Sequence, residues 1–304
     1  MTLSDALHRW CEYRAKLRDL GLVAASTAVN QALIVLRLQE KLGRIDLAAL
    51  RKSDVEIYIG ERRKTCAPVT IQGELNVLRQ VLNWCVDEQM LAARPRLPTV
   101  AVPKVETSLP SDEAFLWVLA NVPPCHARAL ELMMLTGLSP HEIERLEVQD
   151  ASAYRRMSDH FTFGSPGELG EIGIGQRPDF PVKTESRRRW VPLSNRARAL
   201  WFESTVGMQP TTRPFPTVDA MQKAIRRAVS GGMIPGTQLV PFADLYQVTP
   251  KLMRKWFASK VAGDQPEHVL QKLLGHAPGS RITRAHYVRS TEDQAQRAVG
   301  GLVI

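Results

Sequence analysis

The sequence predicts a mainly α protein with a small antiparallel β-sheet, and three observations lead there. Ile71, Leu75, Leu78, Leu82 and Cys85 recur at spacings of four and three, the single apolar stripe of an amphipathic helix. Residues 94–110, RPRLPTVAVPKVETSLP, hold four prolines and no periodicity, which marks a linker between two folding units. Between 152 and 193 helical spacing gives way to short apolar runs separated by Gly, Pro and charged turns, the pattern of strands.

Each element follows from local signals. Ser4 can cap a helix running to about Leu20, and Ser26-Thr27 opens a second that continues to Gly43. A third covers roughly Leu47 to Arg63, with an interruption near Lys52-Ser53. The fourth carries the stripe above and presents Gln72, Glu74, Arg79 and Asp87 on its other face. Residues 1–95 are therefore expected to form a four-helix domain, 96–106 a linker and 107–304 a second domain. That second domain opens with a helix capped at Ser111. In LTGLSPHEIERL, 135–146, one apolar helix breaks at Thr136-Gly137 and another begins. Pro140 suits its first turn, Ser139 is the expected N-cap, and Glu142 closes a capping box. Short strands are expected at 160–163, 171–174 and 189–193, and helical spacing returns after Ser194. A late helix should run from a Thr249 cap and Pro250 to Gly263.

Composition narrows the function. A hydrophobic content of 44% and a charged content of 23% are those of a soluble globular protein. Apolar runs such as 32–36 are far too short to span a bilayer, and the first residues carry charge where a signal peptide would be apolar. Cys11, Cys66, Cys85 and Cys125 are scattered, without CxxC pairs or zinc-spaced His, so reduced thiols in a cytoplasmic protein with no metal are expected. The net charge of +9 favours a polyanionic partner, nucleic acid before membrane, because no long Lys-rich amphipathic helix is present.

Three stretches carry candidate chemistry. In VTPKLMRKWFASKVAG, 248–263, Lys251 and Arg254 lie three apart on one helical face, beside Lys255. In HVLQKLLGHAPGSRITRAHYVRST, 268–291, Gly275 stops a helix, His276 follows on a turn, and Tyr287 stands among Arg281, Arg284 and Arg289. In VKTESRRRWVPLS, 182–194, Lys183 enters a hairpin whose return strand begins with Arg187, Arg188 and Arg189. Taken singly these read as a solvated basic face, a turn histidine with a half-buried tyrosine, and a soluble turn.

In order along the chain, TGL…E, KT…R.VPL, an HxxR-like Lys251–Arg254 pair, LLGH and a downstream Tyr closely resemble the tyrosine recombinases, the phage-integrase family. VTIQGELNVLRQVLNWCVDEQMLAARP likewise resembles the last helix of that family's core-binding domain, so the likeness spans nearly the whole chain with no arm-binding domain in front. It implies a SAM-like core-binding domain followed by the recombinase catalytic domain, closed as a clamp on duplex DNA. Tyr287 would attack a phosphodiester and form a 3′-phosphotyrosine, so no cofactor or metal is required. Arg254 would clamp non-bridging oxygens, Lys183 would protonate the leaving 5′-oxygen, and His276 would contact the phosphate and assist Tyr287. Lys251 stands where the family most often has His. Arg187, Arg188, Lys255, Arg281 and Arg284 are expected to contact DNA. The implied partners are duplex DNA, a homotetramer assembled on it, and an accessory bending or directionality factor, in a bacterial nucleoid or phage-infected cell.

Ser139 departs from the pattern. In TGLRxxE the fourth residue is the first catalytic Arg, and serine brings no charge to that place. Losing one preorganised donor costs on the order of 10²–10³ in rate. Arg145 lies nearly two turns away and faces elsewhere. The readings left open are a recombinase with impaired cleavage, an intact integrase with one recent or deliberate replacement, and a DNA-binding regulator that no longer cuts. A type IB topoisomerase shares the chemistry, but the helical N-terminal domain and length favour the recombinase.

Overall fold

The computed structural model of the chain describes residues 1–103, 109–152, 170–180, 182, 184–231 and 244–280. The chain divides into two compact units, Met1–Glu106 and Thr107–Ile304.

The first unit contains α1 (Leu3–Asp19), α2 (Ala25–Leu42), α3 (Lys52–Arg62) and α4 (Pro68–Asp87), with a 3₁₀ turn at Leu47–Ala49. The expected stripe on α4 is the core: Ile71, Leu75, Leu78, Leu82 and Cys85 are fully buried, together with Leu3, Leu7, Trp10 and Leu38. Two starts differ from expectation. Thr2, not Ser4, caps α1, because Thr2 and Asp5 form a reciprocal capping box. The second helix opens at Ala25 behind an Ala24 that offers no side-chain cap. Glu74, expected on the polar face of α4, is buried instead. Its carboxylate accepts from Tyr58 Oη at 2.7 Å and from Arg62 Nη2 at 2.6 Å, which offsets the cost of taking it out of water.

The second unit contains α5 (Asp112–Asn121), α6 (Pro124–Thr136), the one-turn α7 (Pro140–Ile143), β1 (Ala151–Ser152), β2 (Glu171–Ile174), β3 (Arg189–Pro192), α8 (Asn195–Thr205), α9 (Val218–Gly231), α10 (Pro250–Asp264) and α11 (Glu267–Leu274). Among the described residues the sheet is antiparallel in the order β1-β2-β3. Ile172 pairs with Ala151 on one side and Val191 on the other, and Ile174 faces Arg189 across the ladder. The two residues of β1 are too few to give a sequence signal; the strand expected at 160–163 lies outside the described residues. A core of Phe115, Leu130, Leu132, Met133, Leu138, Ile172, Val191, Trp201 and Met253 joins sheet to helices.

The last helices fix the site. α10 packs on α6, and α11 packs on both α10 and β3. α10 does not stop at Gly263 as expected; it passes through to Asp264 and ends at Gln265, which is extended at φ −126°, ψ 148°. The reason is Pro266, whose ring excludes the helical conformation from the residue before it. α11 ends at Gly275 in the left-handed region, φ 66°, where glycine carries no Cβ penalty.

Candidate functional site

The site is built from the ends of helices. α6 terminates at Gly137, φ 67°, and the chain turns directly into Ser139 and α7. Ser139 is the N-cap: its Oγ accepts from Glu142 N at 3.3 Å, and its own N–H donates to Glu142 Oε2 at 2.7 Å. The capping box therefore does two things at once. It satisfies the helix start, and it locks the rotamer of the Glu142 side chain.

Glu142 points inward, 6% exposed, and is the acceptor at the centre of the cluster. Arg189 meets it with two parallel bonds, Nη1 to Oε1 at 2.8 Å and Nη2 to Oε2 at 3.1 Å. Arg254 Nη1 lies 3.3 Å from Oε2 and also donates to the Gly137 carbonyl at 2.9 Å. Burial by itself would raise the Glu142 pKa. The Arg189 fork, the Arg254 charge and the Ser139 N–H outweigh it and hold the carboxyl down to about 2.

The two arginines also cap α11. Arg189 Nε donates to the Leu273 carbonyl at 2.7 Å and Arg254 Nη2 to the Leu274 carbonyl at 2.6 Å. These are carbonyls of the last turn, which lack intrahelical partners and carry the negative end of the helix dipole. One carboxylate and two guanidiniums thus join α6, α7, β3, α10 and α11.

His276 stands on the turn immediately after, half-buried, with Nε2 3.4 Å from Arg254 Nη2. Burial, then the charges of Arg254, Arg187 and Arg189, push its pKa down to about 4, against the opposing pull of Glu142. The ring is neutral at pH 7. Neutral, it can accept a proton at one ring nitrogen, becoming a cation, or donate a hydrogen bond from the other.

Ser139, Arg254 and His276, far apart in sequence, are brought to one place. Arg187 is half-buried beside them, its carbonyl accepting from Arg189 Nη1 at 3.1 Å. Arg188 is exposed and pairs with Glu185 at 3.1 Å. Lys251 is exposed in the first turn of α10 and Lys255 is half-buried one turn on. The face expected to be uniformly basic and solvated is therefore divided: Lys251 faces water while Arg254 is turned into the protein. Lys183, Arg281, Arg284 and Tyr287 lie outside the described residues. Arg145 is exposed, and its carbonyl accepts from Arg177 at 3.1 Å.

One feature escapes sequence reasoning: Arg189 and Glu142 are motif positions, the R of R.VPL and the E of TGL…E, but nothing in the sequence pairs them. The available signal was strand alternation: Arg189 and Val191 share the inward face of β3, and an arginine there demands a carboxylate partner. Among the described residues no group of three His, Cys, Asp or Glu side chains is gathered to hold a metal, and no helix is long and apolar enough to cross a membrane. The cluster sets Arg189 and Arg254 around one carboxylate, and the Arg187 charge acts on His276 beside them. A surplus of fixed positive charge beside a neutral imidazole suits an anion that gains charge during a reaction.

No protein-family model and no curated protein sequence matches the chain. Solved structures do. An integrase of the Tn1549 transposon in complex with a circular intermediate DNA is similar over 100% of both chains, with a TM-score of 0.69 at 17% identity. A lambda integrase dimer bound to a COC′ core site matches 96% of this chain and 97% of its own, TM-score 0.68, at 13% identity. A lambda integrase tetramer bound to a Holliday junction matches 96% of this chain and 80% of its own, TM-score 0.66, at 13% identity. At such identities the likeness establishes the fold, which is that of the tyrosine recombinases.

Proposed function

We propose that this protein is a site-specific DNA recombinase that breaks and rejoins strands through Tyr287. The observation that carries the reading is the buried Arg254–Glu142 pair with neutral His276 against it, on a fold shared with integrases solved on DNA. The Tyr287 hydroxyl oxygen attacks the scissile phosphorus and the bond to the 5′-oxygen breaks. The products are a 3′-phosphotyrosine and a 5′-hydroxyl. Lys183 supplies the proton to the leaving oxygen, and His276 takes the one that Tyr287 gives up. Rejoining reverses the step, the phosphotyrosine having conserved the bond.

Arg254 is suited to hold the transition-state oxygens because its guanidinium is already fixed by backbone carbonyls, so little reorganisation is needed. On this reading Lys251, exposed at the start of α10, adds a donor. Arg187, Arg188, Lys255, Arg281 and Arg284 hold the phosphate backbone. Residues 1–95 and 107–304 are assigned as the two sides of a clamp on duplex DNA joined by the 96–106 linker. Strand exchange needs two duplexes and four protomers, and the lambda integrase tetramer on a junction supports that stoichiometry. An accessory DNA-bending or directionality factor is part of the reading, as is action in a bacterial nucleoid or phage-infected cell.

Ser139 favours one second reading. It brings no cation to the place where the family pattern has Arg, and its Oγ is committed to the capping box. A protein with this site binds DNA as a regulator and cuts slowly or not at all. The two readings separate by covalent trapping on nicked DNA from the gene's flanks, using the protein as it stands, Ser139→Arg and Tyr287→Phe. The recombinase reading expects an adduct that Tyr287→Phe abolishes and that Ser139→Arg increases on the order of 10²-fold. DNA binding without an adduct in any lane, Ser139→Arg included, would leave the regulator.

A further inference from the structure

We propose that Arg189 is the positioning residue of this site, a strut that holds the His276 turn and the Glu142 carboxylate in one fixed geometry. The inference rests on the strand-exchange reading and adds to it a residue that touches neither DNA nor the reacting phosphate.

Four of the five N–H donors of Arg189 are engaged, and they reach three separate segments. Nη1 and Nη2 fork onto Glu142 of α7, Nε takes the Leu273 carbonyl of α11, and Nη1 also returns to the Arg187 carbonyl in the 3₁₀ turn Glu185–Arg187 just before its own strand. The side chain is 5% exposed, so these bonds are made in a poorly solvated setting. Gly275 rests directly on the guanidinium. A Cβ there would come within 2.9 Å of Arg189 Nη1 and 3.0 Å of Arg187 Cα. The turn that carries His276 is therefore pulled down by a hydrogen bond and supported from beneath by the same side chain.

The geometry also divides labour between the two arginines. Arg254 caps the Leu274 carbonyl and faces His276, so it belongs to the reacting surface. Arg189 caps the carbonyl one residue earlier and lies behind Glu142. Without it, Glu142 would have Arg254 as its remaining charged partner and would draw that guanidinium off the phosphate side. Lysine keeps the charge but supplies no fork, and one ammonium cannot serve the Glu142 carboxylate and the Leu273 carbonyl in the same geometry.

The test compares the full chain with Arg189→Lys by three readouts. These are the His276 titration followed by NMR, affinity for the duplex, and the rate of adduct formation on nicked DNA, in the Ser139→Arg background where the unaltered chain gives too little product. A folded Arg189→Lys chain should show His276 titrating above its present value of about 4, because the loosened turn exposes the ring and moves it from Arg254. Its adduct rate should fall on the order of 10²-fold, the scale set by a roughly 1 Å misplacement, with DNA affinity kept within a few-fold. An unmoved His276 titration together with an adduct rate within about threefold would overturn the proposal. Should Arg189→Lys fail to fold, Gly275→Ala presses on the same contact from the turn's side and is judged by the same readouts. If no chain, Ser139→Arg included, forms an adduct, the cleavage reading fails. The His276 titration then decides the strut alone.

Discussion

At residue 142 one carboxylate accepts from two guanidiniums and a backbone N–H, and this makes the site sensitive to acid. Glu142 has its pKa depressed from 4.5 to about 2 in the fold, so it contributes stability above the unfolded value that is lost as pH falls through this window. His276 has its pKa depressed from 6.5 to about 4, so the unfolded chain binds the extra proton first and stability declines from about pH 6.5 downward. Both groups act in the same direction. Urea unfolding of the unit from Thr107 onward should show a midpoint that falls steadily between pH 7 and pH 3. The full Glu142 shift is worth about 3 kcal/mol, of which about 2 is lost by pH 3 and the rest below it. In Glu142→Gln the decline below about pH 4.5 should flatten; an equal slope in both chains would show that the buried pair is not its source.

Among the elements, the site depends on how helices end. Gly137 closes α6 in the left-handed region, and a Cβ there would run into the Phe257 ring of α10 and approach Leu274 Cδ2 to 3.2 Å. Gly207 has a similar φ of 74° but open space around it. Alanine at 207 should cost only the left-handed penalty, roughly 1–2 kcal/mol, whereas alanine at 137 should add an overpacking cost of about 1–3 kcal/mol. Thermal melts of the two variants measure the difference directly, and equal losses would mean α10 yields freely. Expected elements fared according to their signals. The α4 stripe, the Ser111 and Ser139 caps, and the strands at 171–174 and 189–192 stand as read, because each rests on local periodicity or capping. The start of α1 and the end of α10 moved. A competing cap at Thr2 and a proline at 266 outweighed Ser4 and Gly263.

For the molecule as a whole, the net charge of +9 is spread over both units, with Arg9, Arg63 and Lys64 exposed in the first and Arg188 and Lys251 in the second. On the recombinase reading these charges release counterions from the duplex. Affinity for a duplex should then fall on the order of 10³-fold between about 50 and 200 mM salt, measured by fluorescence anisotropy. A loss below about tenfold would mean that few phosphates are contacted and that the basic balance serves another purpose.

By itself the sequence determined the helices, the linker composition, the β2 and β3 strands and the order of the motifs, all of which follow from periodicity, proline and capping. It also placed Ser139, Arg254 and His276 in one proposed site through the resemblance. Only the tertiary structure decided what surrounds them. Arg189 and Glu142 are 47 residues apart, and Arg254 is 112 from Glu142, so no local pattern links them. Their pairing is forced by burial, since an arginine turned into a core must find a carboxylate and the carbonyls of a helix end must find donors.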